Sequence, residues 1–229
     1  MDGGIYALVS GAKAQQMMLD VAAANIANLS TPGFKKDTGV FEVVFDDRLK
    51  AFVNDRDVQK VDLSQGPLRR TENPFDVAID GEGFFVVSTP AGERYTRYGA
   101  FTMGKGGVLT TADGFEVLGE GGKIVLSGGK LTIDKEGNVF EDGVNIDRLR
   151  VVSFPADAEI VKEGLLFGTT VPPLKGRPAM EIRQGYLEES NVDPVREMVS
   201  IIETYRRYEG QMKLLQAMDE ATGRVIKEV

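Results

Sequence analysis

The chain opens and closes on the same spacing. Ile5, Leu8, Ala12, Gln15, Leu19, Ala22, Ile26 and Leu29 fall at alternating intervals of three and four residues. Met198, Ile201, Tyr205, Tyr208, Met212, Leu215, Asp219, Thr222, Ile226 and Val229 repeat that alternation at the other end. Such spacing lays a row of side chains along one side of a helix, as a coiled coil requires. Roughly 160 residues of mostly strand-like sequence lie between the two rows. A chain built this way is expected to assemble rather than to react.

The first helix is expected from about Gly4 to Leu29, roughly 40 Å of helix. Ser30-Thr31-Pro32-Gly33 stops it, because proline breaks the hydrogen-bond ladder and glycine admits positive φ. Met17, Met18 and Val21 add apolar surface away from the row, so this helix calls for more than one neighbour. Near the stop, Asn25 and Asn28 lie about one turn apart and are open to two roles, local capping or a contact between subunits. Phe34 can anchor the turn on a neighbour or on the chain's own β domain. The second helix is expected to be capped by Asp193, to start at Pro194 and to run about 35 residues, with Ser190 and Asn191 at its entry. Val195, Val199, Ile202, Leu214, Ala217, Ala221 and Val225 form a partial second stripe on it. Polar Gln15, Asp219 and Thr222 suit a self-contained pair of helices poorly. The ends therefore read as surfaces completed by neighbouring subunits.

Between the helices the pattern changes twice. Residues 34–65 are expected as a linker or arm, with a possible strand at Val40–Phe45 and a charged stretch from Asp46 to Lys60. From about Gly66 to Ile182, short β runs alternate with turns such as Asp80-Gly81, Asp113-Gly114, Gly137-Asn138 and Asp142-Gly143. Strands at this spacing predict an antiparallel, sandwich- or barrel-like domain, with the clear strands ending at Pro172-Pro173. The fold class is thus a mainly β central domain flanked by long N- and C-terminal α-helices. The expected division is 1–33 with 186–229 as a coiled-coil helical domain, and 66–185 as the β-rich domain.

Composition excludes much chemistry. The chain has no Cys and no His, so zinc sites of the usual kinds and thiol or imidazole catalysis are excluded. A net charge of -8 argues against binding nucleic acid. No stretch reaches the roughly 20 consecutive apolar residues that span a bilayer, and the first residues lack the basic segment of a secretory signal. Gly81-Glu82-Gly83 lacks the third glycine of a dinucleotide site, and Gly121-Gly122-Lys123 and Gly128-Gly129-Lys130 lack P-loop spacing. Asp76, Asp80 and Glu82 could imitate a glycosidase carboxylate pair, but such groups usually sit at solvated turns. No catalytic residue, metal site or cofactor is expected.

Four stretches carry a family resemblance. Ala24-Asn25-Ile26-Ala27-Asn28-Leu29-Ser30-Thr31-Pro32-Gly33-Phe34-Lys35 resembles the N-terminal signature of bacterial flagellar rod and hook proteins. Asp76 through Val87 resembles that family's central β motif. Arg94-Tyr95-Thr96-Arg97-Tyr98-Gly99-Ala100-Phe101 is also similar, although Tyr98 stands where the family often has Asn or Asp. Gly185 to Val192, followed by Glu197-Met198-Val199, resembles the C-terminal signature. The opening residues and modest length resemble the proximal-rod members, with distal-rod members as the alternative. The resemblance implies a structural subunit of the basal-body rod, a hollow shaft that crosses the periplasm and transmits torque from motor to hook. It implies export by the flagellar type III apparatus without a cleaved signal, and partners that include other rod subunits, the rod cap and the export apparatus. Direct membrane insertion is not implied. The terminal helices would form the inner tube and the β domain its outside. The residues then expected at subunit interfaces are Ile5, Leu8, Ala12, Leu19, Ala22, Asn25, Ile26, Asn28, Leu29, Asn191, Met198, Ile201, Tyr205, Tyr208, Met212, Leu215 and Ile226. From another class, a fibre or adhesin subunit with coiled-coil ends remains open.

Overall fold

The computed structural model describes the backbone of residues 2–46, 51–155 and 158–227. The chain is mostly β with one long helix near each end. It divides into two compact units. One contains Met1–Asn28, Lys36–Asp62 and Val192–Val229, and the other contains Leu29–Lys35 and Leu63–Asn191.

The first unit is built on helix α1 (Asp2–Ala27) and helix α2 (Pro194–Lys227). Proline starts α2 because its missing N–H would have no partner there anyway. Asp193 Oδ1 accepts from Val195 N at 3.0 Å and Arg196 N at 3.2 Å, which satisfies two of the free amides of the first turn. At the end of α1, Asn28 Nδ2 donates to Ala24 O at 2.9 Å, a carbonyl that also accepts from Asn28 N at 3.2 Å, so the side chain reinforces the last turn. Within residues 34–65, expected as a linker or arm with a strand at Val40–Phe45, that strand is present and pairs with a second one as a hairpin. Asp37–Asp46 runs antiparallel to Ala51–Val61, with Asp37 opposite Val61 and a register shift between Glu42 and Val43. Both strands pack on α1, so the second neighbour that α1 calls for comes from its own chain.

The second unit is antiparallel throughout its described strands. Its largest sheet runs in the order Val161–Glu163, Leu166–Gly168, Gly92–Thr96, Phe84–Thr89, Glu116–Gly119, Leu109–Thr111, Phe101–Met103. Gly122–Lys123 adds to Glu116–Gly119, and Val151–Val152 adds to Phe84–Thr89. A second sheet holds Leu131–Ile133, Asn138–Glu141 and Val144–Arg148, and two strand pairs join Val77–Gly81 with Met180–Gln184 and Leu68–Arg70 with Tyr186–Glu188. Strands therefore continue beyond Pro172-Pro173. They lie in sequence that supplies the return partners of strands far earlier in the chain. Val77, Ile79, Phe85, Val87, Leu109, Val117, Ile124, Leu149 and Ile182 form one buried apolar cluster. Each such side chain contributes about 1.5–3 kcal/mol on burial.

Candidate functional site

The two helices close on each other along one face, contrary to the expectation that neighbours alone would complete them. A Cβ on Gly4 would meet Met218, one on Gly11 would meet Gln211, and Asn25 reaches Glu197. One heptad up α1 is therefore one heptad down α2, an antiparallel pairing in register. The glycines make room for long side chains from the facing helix. Glu197 and Thr204 are buried, and Ile201, Tyr208, Gln211, Leu215 and Met218 are half-buried. The packed row of α2 thus lies one residue from the expected one at 198, 205 and 212, and coincides with it at 201, 208 and 215.

Asn25 explains how a polar group survives here. It is fully buried, its Oδ1 accepts from Asp37 N at 2.9 Å and its Nδ2 donates to Asp37 O at 2.9 Å. The amide imitates a neighbouring strand and pins the start of the hairpin to α1. The same Nδ2 lies 3.4 Å from Glu197 Oε2, and Glu197 is ion-paired with Lys36. Every member has a partner, which makes a buried polar network tolerable.

The expected interface residues separate accordingly. Ala12 and Ala22 are buried within the chain, and Leu8, Leu19, Ile26, Asn28, Leu29 and Asn191 are half-buried. Asn191 Nδ2 donates to Ser64 O and Oγ, both at 3.1 Å. Ile5, Ile226 and Asp219 lie outside the described side chains. Met198, Tyr205 and Met212 face solvent, and so do Val195, Val199, Ile202 and Leu214 from the second stripe. Val195 is 69% exposed, Met198 56% and Ile202 53%. At 3.6 residues per turn, Val195, Met198, Val199, Ile202 and Tyr205 centre on the side of α2 away from Glu197 and Thr204. Among the described residues, the helix packs one mixed row and leaves this apolar row exposed. A contiguous exposed apolar row of this kind marks an interaction site.

The Thr31-Pro32-Gly33-Phe34-Lys35 stretch turns inward on the second unit. Gly33 adopts φ 68° and its N–H donates to Glu188 O at 2.7 Å. Phe34 is buried, with Lys162 Nζ 3.5 Å from its ring centroid, and Lys162 also donates to Lys35 O at 2.6 Å. Phe34 anchors the turn on the chain's own β unit. Lys35 is buried against Glu188, a feature that sequence reasoning missed. Its only signal was a charge inside an otherwise apolar and small-residue motif. Two of the three carboxylates that could imitate a glycosidase pair serve structural bonds: Asp80 Oδ2 takes Arg183 Nε at 2.7 Å, and Asp76 Oδ1 takes Asn73 Nδ2 at 3.0 Å. The Asp80 bond raises the Arg183 pKa from its ordinary value. Among the described residues no group of acidic side chains gathers as a metal site, and no helix is long and apolar enough to cross a membrane.

An antiparallel pair of terminal helices with one apolar row left open, joined to a closed β unit, defines a structural protein that assembles. Comparison with known proteins says which. Residues 5–35 match the family model described as flagella basal body rod protein. Residues 78–148 match the flagellar hook protein FlgE/F/G D1 domain, and residues 183–228 the flagellar basal body rod FlgEFG protein C-terminal. The flagellar basal-body rod protein FlgF of Caulobacter vibrioides is 35% identical over 228 residues, covering 94% of this chain and 93% of that one. FlgF of Salmonella typhimurium is 33% identical over 244 residues, covering 98% and 97%. The flagellar basal-body rod protein FlgG of Bacillus subtilis is 30% identical over 252 residues, covering 94% and 95%. The chain belongs to the flagellar basal-body rod protein family. It is a structural subunit of the rod, located in the basal body and assembling with other rod components.

Proposed function

We propose that this chain is a subunit of the proximal rod and that the outward row of α2 is where neighbouring subunits dock. The open row at Val195, Met198, Val199, Ile202 and Tyr205 carries the proposal, because a rod subunit has neighbours to cover it. In the assembled shaft, α1 and α2 form a coiled coil that lines an inner tube, and the β unit takes the outer position. The match to FlgF proteins along nearly the whole chain supports the proximal placement. The role is mechanical, passing torque from motor to hook across the periplasm, and not catalytic. Export through the flagellar type III apparatus and placement beneath a rod cap belong to the same proposal. Met198, Tyr205 and Met212 then contact other subunits directly, while Ile201, Tyr208 and Leu215 hold the helix pair that presents them.

The chain contains no cysteine, so an introduced thiol is a unique reporter. Met198→Cys and Ile202→Cys should react rapidly with a bulky maleimide in the isolated chain and be protected in purified basal bodies. Equal reactivity in both states would refute docking through this row.

A further inference from the structure

One carboxylate of the second unit ties together the stretches through which the chain enters and leaves that unit. Glu188 is 1% exposed and ends the strand Tyr186–Glu188, shortly before α2. Its Oε1 accepts from Lys35 Nζ at 2.5 Å and from Gly66 N at 2.9 Å, and its Oε2 from Arg97 Nη1 at 3.1 Å. Its backbone oxygen accepts from Gly33 N at 2.7 Å. Lys35 Nζ also donates to Ser64 O at 2.6 Å, the oxygen that Asn191 Nδ2 shares. Arg97 in turn donates to Gly81 O at 2.7 Å, which fixes it to the strand Val77–Gly81.

The chain passes between the two units through three stretches of the second one: 29–35, the residues after 62, and the residues before 192. Gly33 and Lys35 belong to the first stretch, Ser64 and Gly66 to the second, Glu188 and Asn191 to the third. Each stretch contributes a group to the same buried cluster. Lys35 and Glu188 are both essentially inaccessible, and Arg97 is nearly so. A buried charge is tolerable only while it is paired and hydrogen-bonded, so such a cluster resists half-formation. Were the strand carrying Glu188 absent, Lys35 would lose its carboxylate and its stretch would return to water.

We propose that Lys35, Glu188 and Arg97 form a latch that fixes the three connecting stretches to the β unit together. The turn after α1 locks only once the strand ahead of α2 has paired. The stretch that follows α1 and the strand that precedes α2 are thereby fixed together within the second unit.

Amide hydrogen exchange on the full chain, resolved by residue, tests this. Gly66 and Gly33 report two different stretches, and Leu109 N, bonded to Ile124 O at 2.9 Å, reports the core. Lys35→Met should raise exchange at Gly33 and also at Gly66, whose amide is held by Glu188, each by roughly tenfold or more, with Leu109 unchanged. Glu188→Gln, which strands two cations, should do the same more strongly. Faster exchange at Gly33 alone would overturn the latch, since the stretches would then open independently. If both variants instead lose Leu109 protection along with the rest, the cluster is part of the global core and the proposal also fails.

Discussion

At Gly33 a Cβ would stand 2.5 Å from Tyr98 N and 2.6 Å from the Arg97 carbonyl carbon, in a backbone already at φ 68°. Gly92 also has positive φ, 104°, yet nothing lies within 4 Å of its missing Cβ. Gly33→Ala should therefore cost more than about 3 kcal/mol in chemical denaturation, and Gly92→Ala only about 1–2 kcal/mol. Equal costs would mean that the turn is not seated as described. Glu141 shows a second kind of residue-level constraint. Its carboxylate accepts from the amides of Ser127, Gly128 and Gly129 at 2.6–2.9 Å, which pulls its pKa below the ordinary value, the Ser127 amide contributing most. The glycine-lysine stretch that failed as a phosphate cradle is filled by the chain's own anion. Because the folded pKa is the lower one, the stabilisation is complete above the unfolded value of about 4.3 and lost as pH falls through the folded value. Denaturation of the wild-type chain between pH 6 and 3, compared with Glu141→Gln, should show their stability difference shrinking as pH drops. A difference independent of pH would contradict this. At this scale the sequence was partly legible. Proline and glycine announced the stop after α1, but the burial of Lys35 did not, because lysine ordinarily marks a surface.

The helices were legible as elements from their spacing, and Asp193-Pro194 marked the start of α2 to the residue. The covered face of α2 was not. Three-four alternation fits two adjacent rows that share Ile201, Tyr208 and Leu215, and apolar residue type favoured 198, 205 and 212 over 197, 204 and 211. The packed row takes the more polar option for reasons held in other elements. Gly4 and Gly11 leave space for Met218 and Gln211, and Asn25 with Lys36 compensates Glu197. The residues left over are the apolar ones, which turns an apparent core row into an exposed one. Hairpin Asp37–Asp46 with Ala51–Val61 was half visible. The Val40–Phe45 run signals a strand, whereas the charged stretch after it has no apolar period of two from which pairing can be read.

At the scale of the whole molecule, each unit is assembled from separated pieces of chain. Strands near 66–81 find partners at 180–188, and the ends of the chain find each other. Such long-range pairing is fixed by register and burial, so spacing within a segment does not reveal it. The helical unit carries an open apolar row and the β unit a closed core, and a rod subunit needs both. Ile202→Asp is the most direct test of that division. Ile202 makes no use of the covered face, so the isolated chain should keep its stability within about 0.5 kcal/mol. In cells that depend on this subunit, the same substitution should remove the protein from purified basal bodies and abolish swimming. Wild-type amounts of the variant in the rod, with normal motility, would contradict assembly through the outward face of α2.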